Sequence, residues 1–375
     1  MIVLTSLFFN IAVFAQHDHT VMHPAKDSGK QSKSVPLRKD TLLPSKPHAM
    51  HMPMRDTVPP KPNRQQDGHH PMNEDEMIME GHGGHGAMTH SFSRNLPMTR
   101  NGSGTSWLPD NSPMYAYMFH SKNGWMYMLH GDFYLRYNKQ DVFDKGARGG
   151  SKFDAPNMVM LMGQRQVGNN GLFHFNTMFS LDPLTVGKTG YPLLFQTGES
   201  YRGRPLIDRQ HPHDLFGELS VSYAQALSAK SDLFLYVGYP GEPALGPTAY
   251  VHRPSGFFNP DAPLSHHWVD ATHITFGVAT LGYRYGGFKL EASSFTGREP
   301  DENRYNFDEP LFDSWSGRLS FNPNEKWALQ VSHGFIKSPE ILHPGEDVSR
   351  TTASATYSVK STDMSFTNLT ALCGG

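Results

Sequence analysis

The feature that most restricts what this chain can fold into is a rhythm in the spacing of its strand-like stretches. From Trp107 onward, apolar and polar residues alternate with period two. In Gly124 to Asn138, odd positions carry Trp125, Tyr127, Leu129, Phe133, Leu135 and Tyr137, and even positions carry Met126, Met128, His130, Asp132, Tyr134 and Arg136. Such a stretch is a strand with one apolar face. Further strands are expected near 157–167, 171–182, 214–226, 231–239, 272–285, 288–296, 314–322, 326–336, 350–360 and 362–370. The connections between them alternate in length. Those at 139–156, 183–213, 240–271, 297–313 and 337–349 are long, and those at 168–170, 227–230, 286–287, 323–325 and 361 are short.

Short turns at one end and long loops at the other are the pattern of an up-and-down barrel that crosses a bacterial outer membrane. The strand lengths suit a tilted membrane strand. Aromatics near strand ends (Trp125, Tyr137, Tyr239, Tyr285, Trp315 and Trp327) suit interfacial girdles. A secreted sandwich need not alternate its loops, and loops of about thirty residues are uncommon in compact domains. The expected fold is therefore all-β: an antiparallel up-and-down transmembrane β-barrel over 106–375. Eleven strands are legible, whereas single-chain bacterial barrels close with an even number. The sequence also ends Leu372-Cys373-Gly374-Gly375, without an aromatic-terminated strand. Twelve or more strands are expected, with the barrel incomplete at its C-terminus.

Composition limits the alternatives. The formal net charge of −2 gives no electrostatic case for nucleic acid. Mean hydropathy is −0.51, and after the N-terminus no run of 18 apolar residues exists for a membrane helix. One cysteine, Cys373, leaves no disulfide framework and no thiolate cage. Residues 1–15 read as a signal peptide: Leu4 to Phe14 is mostly apolar, and Val13-Phe14-Ala15 precedes a polar switch at Gln16. Residues 16–105 read as a disordered arm. Ten of the 28 prolines fall there, and Phe92 is its one aromatic. Such a segment cannot bury enough apolar surface to offset the entropy of ordering it. The first strand ends at a long, outward connection, so the arm hangs on the periplasmic side.

The arm is rich in metal-ligating side chains. Residues 17–90 hold ten histidines and eight methionines. The densest groups are His48-Ala49-Met50-His51-Met52-Pro53-Met54, His69-His70-Pro71-Met72, and His82, His85, Met88 and His90. Thioether sulfur is soft and imidazole borderline, a set suited to Cu(I), Ag(I) and, through imidazole, Cu(II). Zinc or nickel is an alternative through the histidines alone. The His82-x-x-His85 spacing without cysteines is not a zinc-finger pattern.

A second constellation lies in the strands. Alternation puts Met126, Met128 and His130 on the face opposite the apolar one, with Met158, Met160 and Met162 on the next strand and His174, Asn176 and Met178 on the third. Three neighbouring strands then direct six methionines and two histidines to one wall of the lumen. The structural alternative is that methionine fills gaps in a narrow lumen, and a one-residue register slip would reverse the faces. A third group, Asp208-Arg209-Gln210-His211-Pro212-His213-Asp214, offers two histidines and two aspartates, with Arg202, Arg204 and Arg209 nearby. Loop packing by ion pairs is favoured there over a divalent metal or a base paired with an orienting carboxylate. The loop with His252, His266, His267, Asp270 and His273 poses the same question, and His266-His267-Trp268 reads as a membrane-interface mark. No G-x-S-x-G elbow, H-E-x-x-H, P-loop or dinucleotide fingerprint occurs. Ser220 and Ser222 offer only generic partners for a hydrolase, so the chain is not expected to be an enzyme.

A Met/His-rich exported arm, with Met50-His51-Met52-Pro53-Met54, ahead of a barrel with Met-x-Met strands resembles the copper-resistance B-type outer-membrane proteins of Gram-negative bacteria. The run Leu206 to Leu215 is more similar to uncharacterised outer-membrane barrels associated with heavy-metal efflux. The resemblance covers the architecture of the whole chain, and its motifs are compositional. It implies copper or silver binding, with sequestration or export from the periplasm. Outer-membrane lipid, metal ions and periplasmic metal-efflux components would be the partners. The alternative is a general porin or structural barrel whose arm buffers metal incidentally.

Overall fold

The computed structural model describes residues 7–9, 88–140, 148–197, 200–362 and 365–375. The chain divides into two units, and the described residues all fall in the one formed by 1–15 and 85–375. The expected ligands His48, Met50, His51, Met52, Met54, His69, His70, Met72, His82 and His85 lie outside the described residues.

The core is one twelve-stranded antiparallel sheet in which every strand pairs with its sequence neighbour. Its strands are β1 (Tyr117–His120), β2 (Trp125–Phe133), β3 (Asn157–Val167), β4 (Gly171–Phe179), β5 (Phe216–Ser228), β6 (Ser231–Gly238), β7 (Val278–Tyr285), β8 (Phe288–Phe295), β9 (Ser314–Asn324), β10 (Trp327–Ile336), β11 (Val348–Thr362) and β12 (Ser365–Gly374). All eleven expected strands are present, and β1 is the twelfth. No ladder joins edge strands β1 and β12 among the described residues. No helix of the described residues is long and apolar enough to cross a membrane.

The two faces of the sheet differ in an unusual sense. One face is open and apolar: Leu129, Leu235, Leu281, Leu290 and Trp315 are each between 44% and 62% exposed. The other is covered and polar: Asp232, Lys289, Glu291 and Arg318 are at most 2% exposed. A sheet in water normally buries its leucines and exposes its charges. Here period two is obeyed with the sign reversed.

Residues 88–116 lie on the covered face, and here the structure corrects the sequence reading. The segment 16–105 was expected to be disordered to its end. Residues 88–105 instead carry an antiparallel pair, Thr89–His90 with Ser93–Pro97, and a 3-10 turn, Met98–Arg100. They are held largely by polar partners. Lys289 donates to the Thr105 carbonyl. Arg318 donates to Thr105 Oγ1 at 2.7 Å, and Asn322 to the Leu108 carbonyl at 2.9 Å. Ser91 Oγ and His174 Nε2 are 3.1 Å apart. Arg94 donates to Gln166 at 2.6 Å and to the Asn169 carbonyl in a short turn. A hydropathy argument cannot foresee order that comes from satisfied polar groups on a polar wall.

Other boundaries shift for local reasons. The expected strand 124–138 breaks at Tyr134, whose N–H donates to the Pro156 carbonyl at 2.9 Å. Leu135–Gln140 then pairs with Gly150–Asp154, and also with the short strand Leu7–Phe9. Arg136 ties that hairpin to two carboxylates, Asp154 at 2.7 Å and Asp261. The strand expected from 272 begins at Val278, because Ala271–His273 forms a 3-10 turn.

Candidate functional site

Register builds the first candidate site. Met128 faces Met162, His130 faces Met160 and Asp132 faces Met158 across β2 and β3. Met160 faces Met178, Met162 faces Asn176 and Gln164 faces His174 across β3 and β4. Directly opposed residues on one face bring their side chains into contact. Met98, Met128, Met158, Met160, Met162 and Met178 form one buried cluster, each 6% or 7% exposed, with Met88 and Ala116 packed on it.

Of the eight strand ligands expected from alternation, Met126 alone stays apart. It lies opposite Gln164, next to the turn at 121–124, and is half-buried outside the cluster. Met98 was missed, because the sequence reading left it in the arm with no strand to align it. His90, expected as an arm ligand, is buried beside Phe92 and Trp107, with ring centroids at 5.7 and 6.3 Å. Its Nδ1 accepts from the Phe92 N–H at 3.1 Å. His130 Nδ1 donates to the Tyr115 carbonyl at 2.8 Å, and its ring lies 6.2 Å from that of His252. Burial, with smaller contributions from His130 and His213, pushes the proton affinity of His252 down to a pKa of about 3, so the ring is neutral at pH 7.

Two cavities are lined in part by these methionines. One, of about 880 Å³ with its open mouth, is lined by Met98, Met128, Met160, Met162, His174 and His252. The other, of about 650 Å³ measured the same way, is lined by Met158, Met178, Asp132, Asp182, His213 and His273. The thioether stripe therefore runs from mid-sheet toward the end with the long connections.

At that end two long loops converge. The ladder of Tyr191–Pro192 with Arg209–Gln210 sets the position of His211, and a short helix, His266–Val269, presents His266 and His267. One ligand atom from each of His211, His266 and His267 lies within 4.8 Å of the other two. His213 and His273 adjoin them. Ring centroids are 5.6 Å apart for His213 and His273, and 5.0 Å for His266 and His273. Burial lowers the proton affinity of His211, His266, His267 and His273 below the ordinary imidazole value. Their rings thus stay neutral, the form that ligates metal. Sequence reasoning held both histidine groups but favoured loop packing, having no signal that residues about 55 positions apart would meet.

The local backbone of this site depends on Gly190. Its φ is +61°, and a Cβ there would sit 1.7 Å from the Gln210 carbonyl oxygen. Gly190→Ala is expected to destabilise the protein by more than about 1 kcal/mol and to displace the 209–210 ladder. Chemical denaturation midpoints compared with the parent check this, and an unchanged midpoint would contradict it.

No protein-family model matches this chain, and no curated protein matches it.

Proposed function

We propose that this chain is an outer-membrane β-barrel of a Gram-negative bacterium that binds copper as Cu(I), or silver, and sequesters or exports it from the periplasm. The observation that carries the reading is the buried cluster of six methionines on the polar, covered face of the sheet. Methionine loses more rotamer freedom on burial than leucine, by about 1 kcal/mol per side chain. A wall that needed only apolar bulk would be filled at lower cost by leucine. Besides the flexibility that lets methionine fill gaps, thioether sulfur brings an affinity for soft ions that leucine lacks.

The membrane placement is supported by the reversed faces. Apolar residues cover the open face, flanked by rows of aromatics at both strand ends. Phe288 and Phe321 stack at 4.1 Å and Trp327 lies 4.8 Å from Tyr357 at one end. Phe216 lies 5.2 Å from Phe179 and 4.8 Å from Phe307 at the other. Such rows fit the girdles of a membrane barrel. Outer-membrane lipid would cover this face, and the strand edges would be brought together in a closed barrel. The His/Met-rich stretch before Met88 would collect ions in the periplasm, alongside efflux components there, and pass them to Met88 and Met98. Exchange between neighbouring weak thioether ligands needs no redox step.

The full-length protein, folded in lipid vesicles, tests the reading. With Cu(I) supplied under reducing conditions, X-ray absorption should show sulfur neighbours at the metal. Bound copper with only nitrogen and oxygen neighbours would favour a general porin with an incidental metal-buffering arm.

A further inference from the structure

We propose that His211, His266 and His267 form a second, chemically different metal site, a three-histidine centre for a divalent borderline ion, with Cu(II) preferred. It does not rest on the methionine cluster or on a membrane location. It rests on how the three rings are held.

Each ring has an acceptor on one nitrogen, which for His266 and His267 fixes the tautomer and leaves a lone pair on the other. His211 Nδ1 donates to the Pro212 carbonyl at 3.0 Å. His266 Nδ1 donates to Asp270 Oδ1 at 2.6 Å. His267 Nε2 donates to Gln210 Oε1 at 3.3 Å. Gln210 Oε1 is itself held as an acceptor by Gln196 Nε2 at 2.8 Å. The lone pairs of these last two rings therefore fall on Nε2 of His266 and Nδ1 of His267. His267 Nδ1 is buried with no hydrogen-bond partner among the described residues. An orphaned buried polar atom costs about 1–3 kcal/mol, and a metal bond at that atom removes the cost. His273 Nε2, in the adjoining ring, is likewise buried without a hydrogen-bond partner among the described residues.

The supporting shell has the form metal-binding histidines use. A carboxylate behind a ligating imidazole raises its basicity and fixes its orientation. Asp270 is locked in turn by Arg253, whose guanidinium donates to the other carboxylate oxygen. Two ligands about 2.1 Å from a tetrahedral ion stand roughly 3.4 Å apart. The three ligand atoms lie within 4.8 Å of one another, so binding an ion requires the rings to rotate closer together. Charges of both signs surround the site. Arg350 donates to the His267 carbonyl at 3.1 Å and disfavours added positive charge. Glu299 and Glu340 act on His211 in the opposite sense. Three neutral imidazoles with no thiolate and no sulfur select Cu(II) over Zn(II) by affinity order and disfavour Cu(I) relative to the thioether cluster.

The test uses the full-length protein in detergent micelles, loaded with Cu(II) or Zn(II) and then dialysed at pH 6 against a competing amino-acid chelator. One tightly held Cu(II) with three-imidazole nitrogen couplings in its electron paramagnetic resonance spectrum is expected. It should disappear in H266Q/H267Q and persist when the five strand methionines are leucine. Because the double variant removes packing as well, Asp270→Asn is the second probe. It keeps all three ligands and should weaken Cu(II) binding at least tenfold. Retention of the tight ion in H266Q/H267Q, or unchanged affinity in Asp270→Asn, would overturn the site. Tighter retention of Zn(II) than of Cu(II) would overturn the copper preference. Loss of Cu(I) sulfur scattering with this site intact would strike only the methionine reading.

Discussion

Replacing Met128, Met158, Met160, Met162 and Met178 together with leucine should leave the protein folded and abolish the Cu(I) binding proposed for the buried cluster. The physical basis is the near-equality of the two side chains in volume and their inequality in chemistry. Met-to-Leu exchanges in a packed interior usually cost less than about 1.5 kcal/mol each, and the lower entropy of leucine offsets part of that. Five of the six clustered sulfurs disappear, leaving Met98 with Met88 beside it. One or two thioethers cannot surround a trigonal ion. The expected fall in Cu(I) affinity is at least the roughly 100-fold that outer-shell partners alone can be worth. Competition with a Cu(I) chelator of known strength measures it. A variant that folds and binds Cu(I) as the parent does would remove the cluster from the function. If the protein exports copper as proposed, the variant should also lower the copper tolerance of cells.

Glu291→Ala should be the most destabilising single change on the covered face. Glu291 lies between two cations that are each about 1% exposed. Lys289 Nζ is 3.2 Å from Glu291 Oε2, and Arg318 Nε is 3.0 Å from it. Removing one member of a buried ion group leaves its partners charged and desolvated, which costs about 3–5 kcal/mol. The same two cations hold Thr105, so residues 88–113 lose an anchor with the pair. The denaturation midpoint should fall accordingly, and protease should cut near 100–105 in the variant before the parent. As a control, converting Lys289, Glu291 and Arg318 together to apolar residues of similar volume should restore most of the sheet's stability, because no charge is then stranded. A shift under about 1 kcal/mol in Glu291→Ala would show that the cations reach water or another carboxylate.

The strands and the faces of β2, β3 and β4 were readable because period two is a local property. Each side chain's face follows from its position in its own strand, so Met158, Met160 and Met162 needed no tertiary information. β1 was not readable. Its four residues, Tyr117 to His120, are all exposed, so the edge strand has no alternation of burial to leave in the sequence. The ordered part of the N-terminal segment was missed for a different reason. Ser91, Ser103, Thr105 and Ser106 look solvent-seeking in isolation, and they are buried here because the wall they meet is polar. A rule that equates polarity with exposure fails where a sheet buries its charges.

The sequence by itself determined that this chain is all-β, where eleven of its twelve sheet strands lie, and which strand methionines share a face. All three follow from neighbours within one strand and from the lengths of the connections between strands. Only the tertiary structure decided that Met98 joins the thioether cluster, that Met126 does not, and that His211 meets His266 and His267. Those outcomes depend on where loops of 30 residues or so return to the sheet, a choice made by distant partners such as the Arg253–Asp270 pair and the 191–192 ladder with 209–210. No periodicity within the loops encodes that choice.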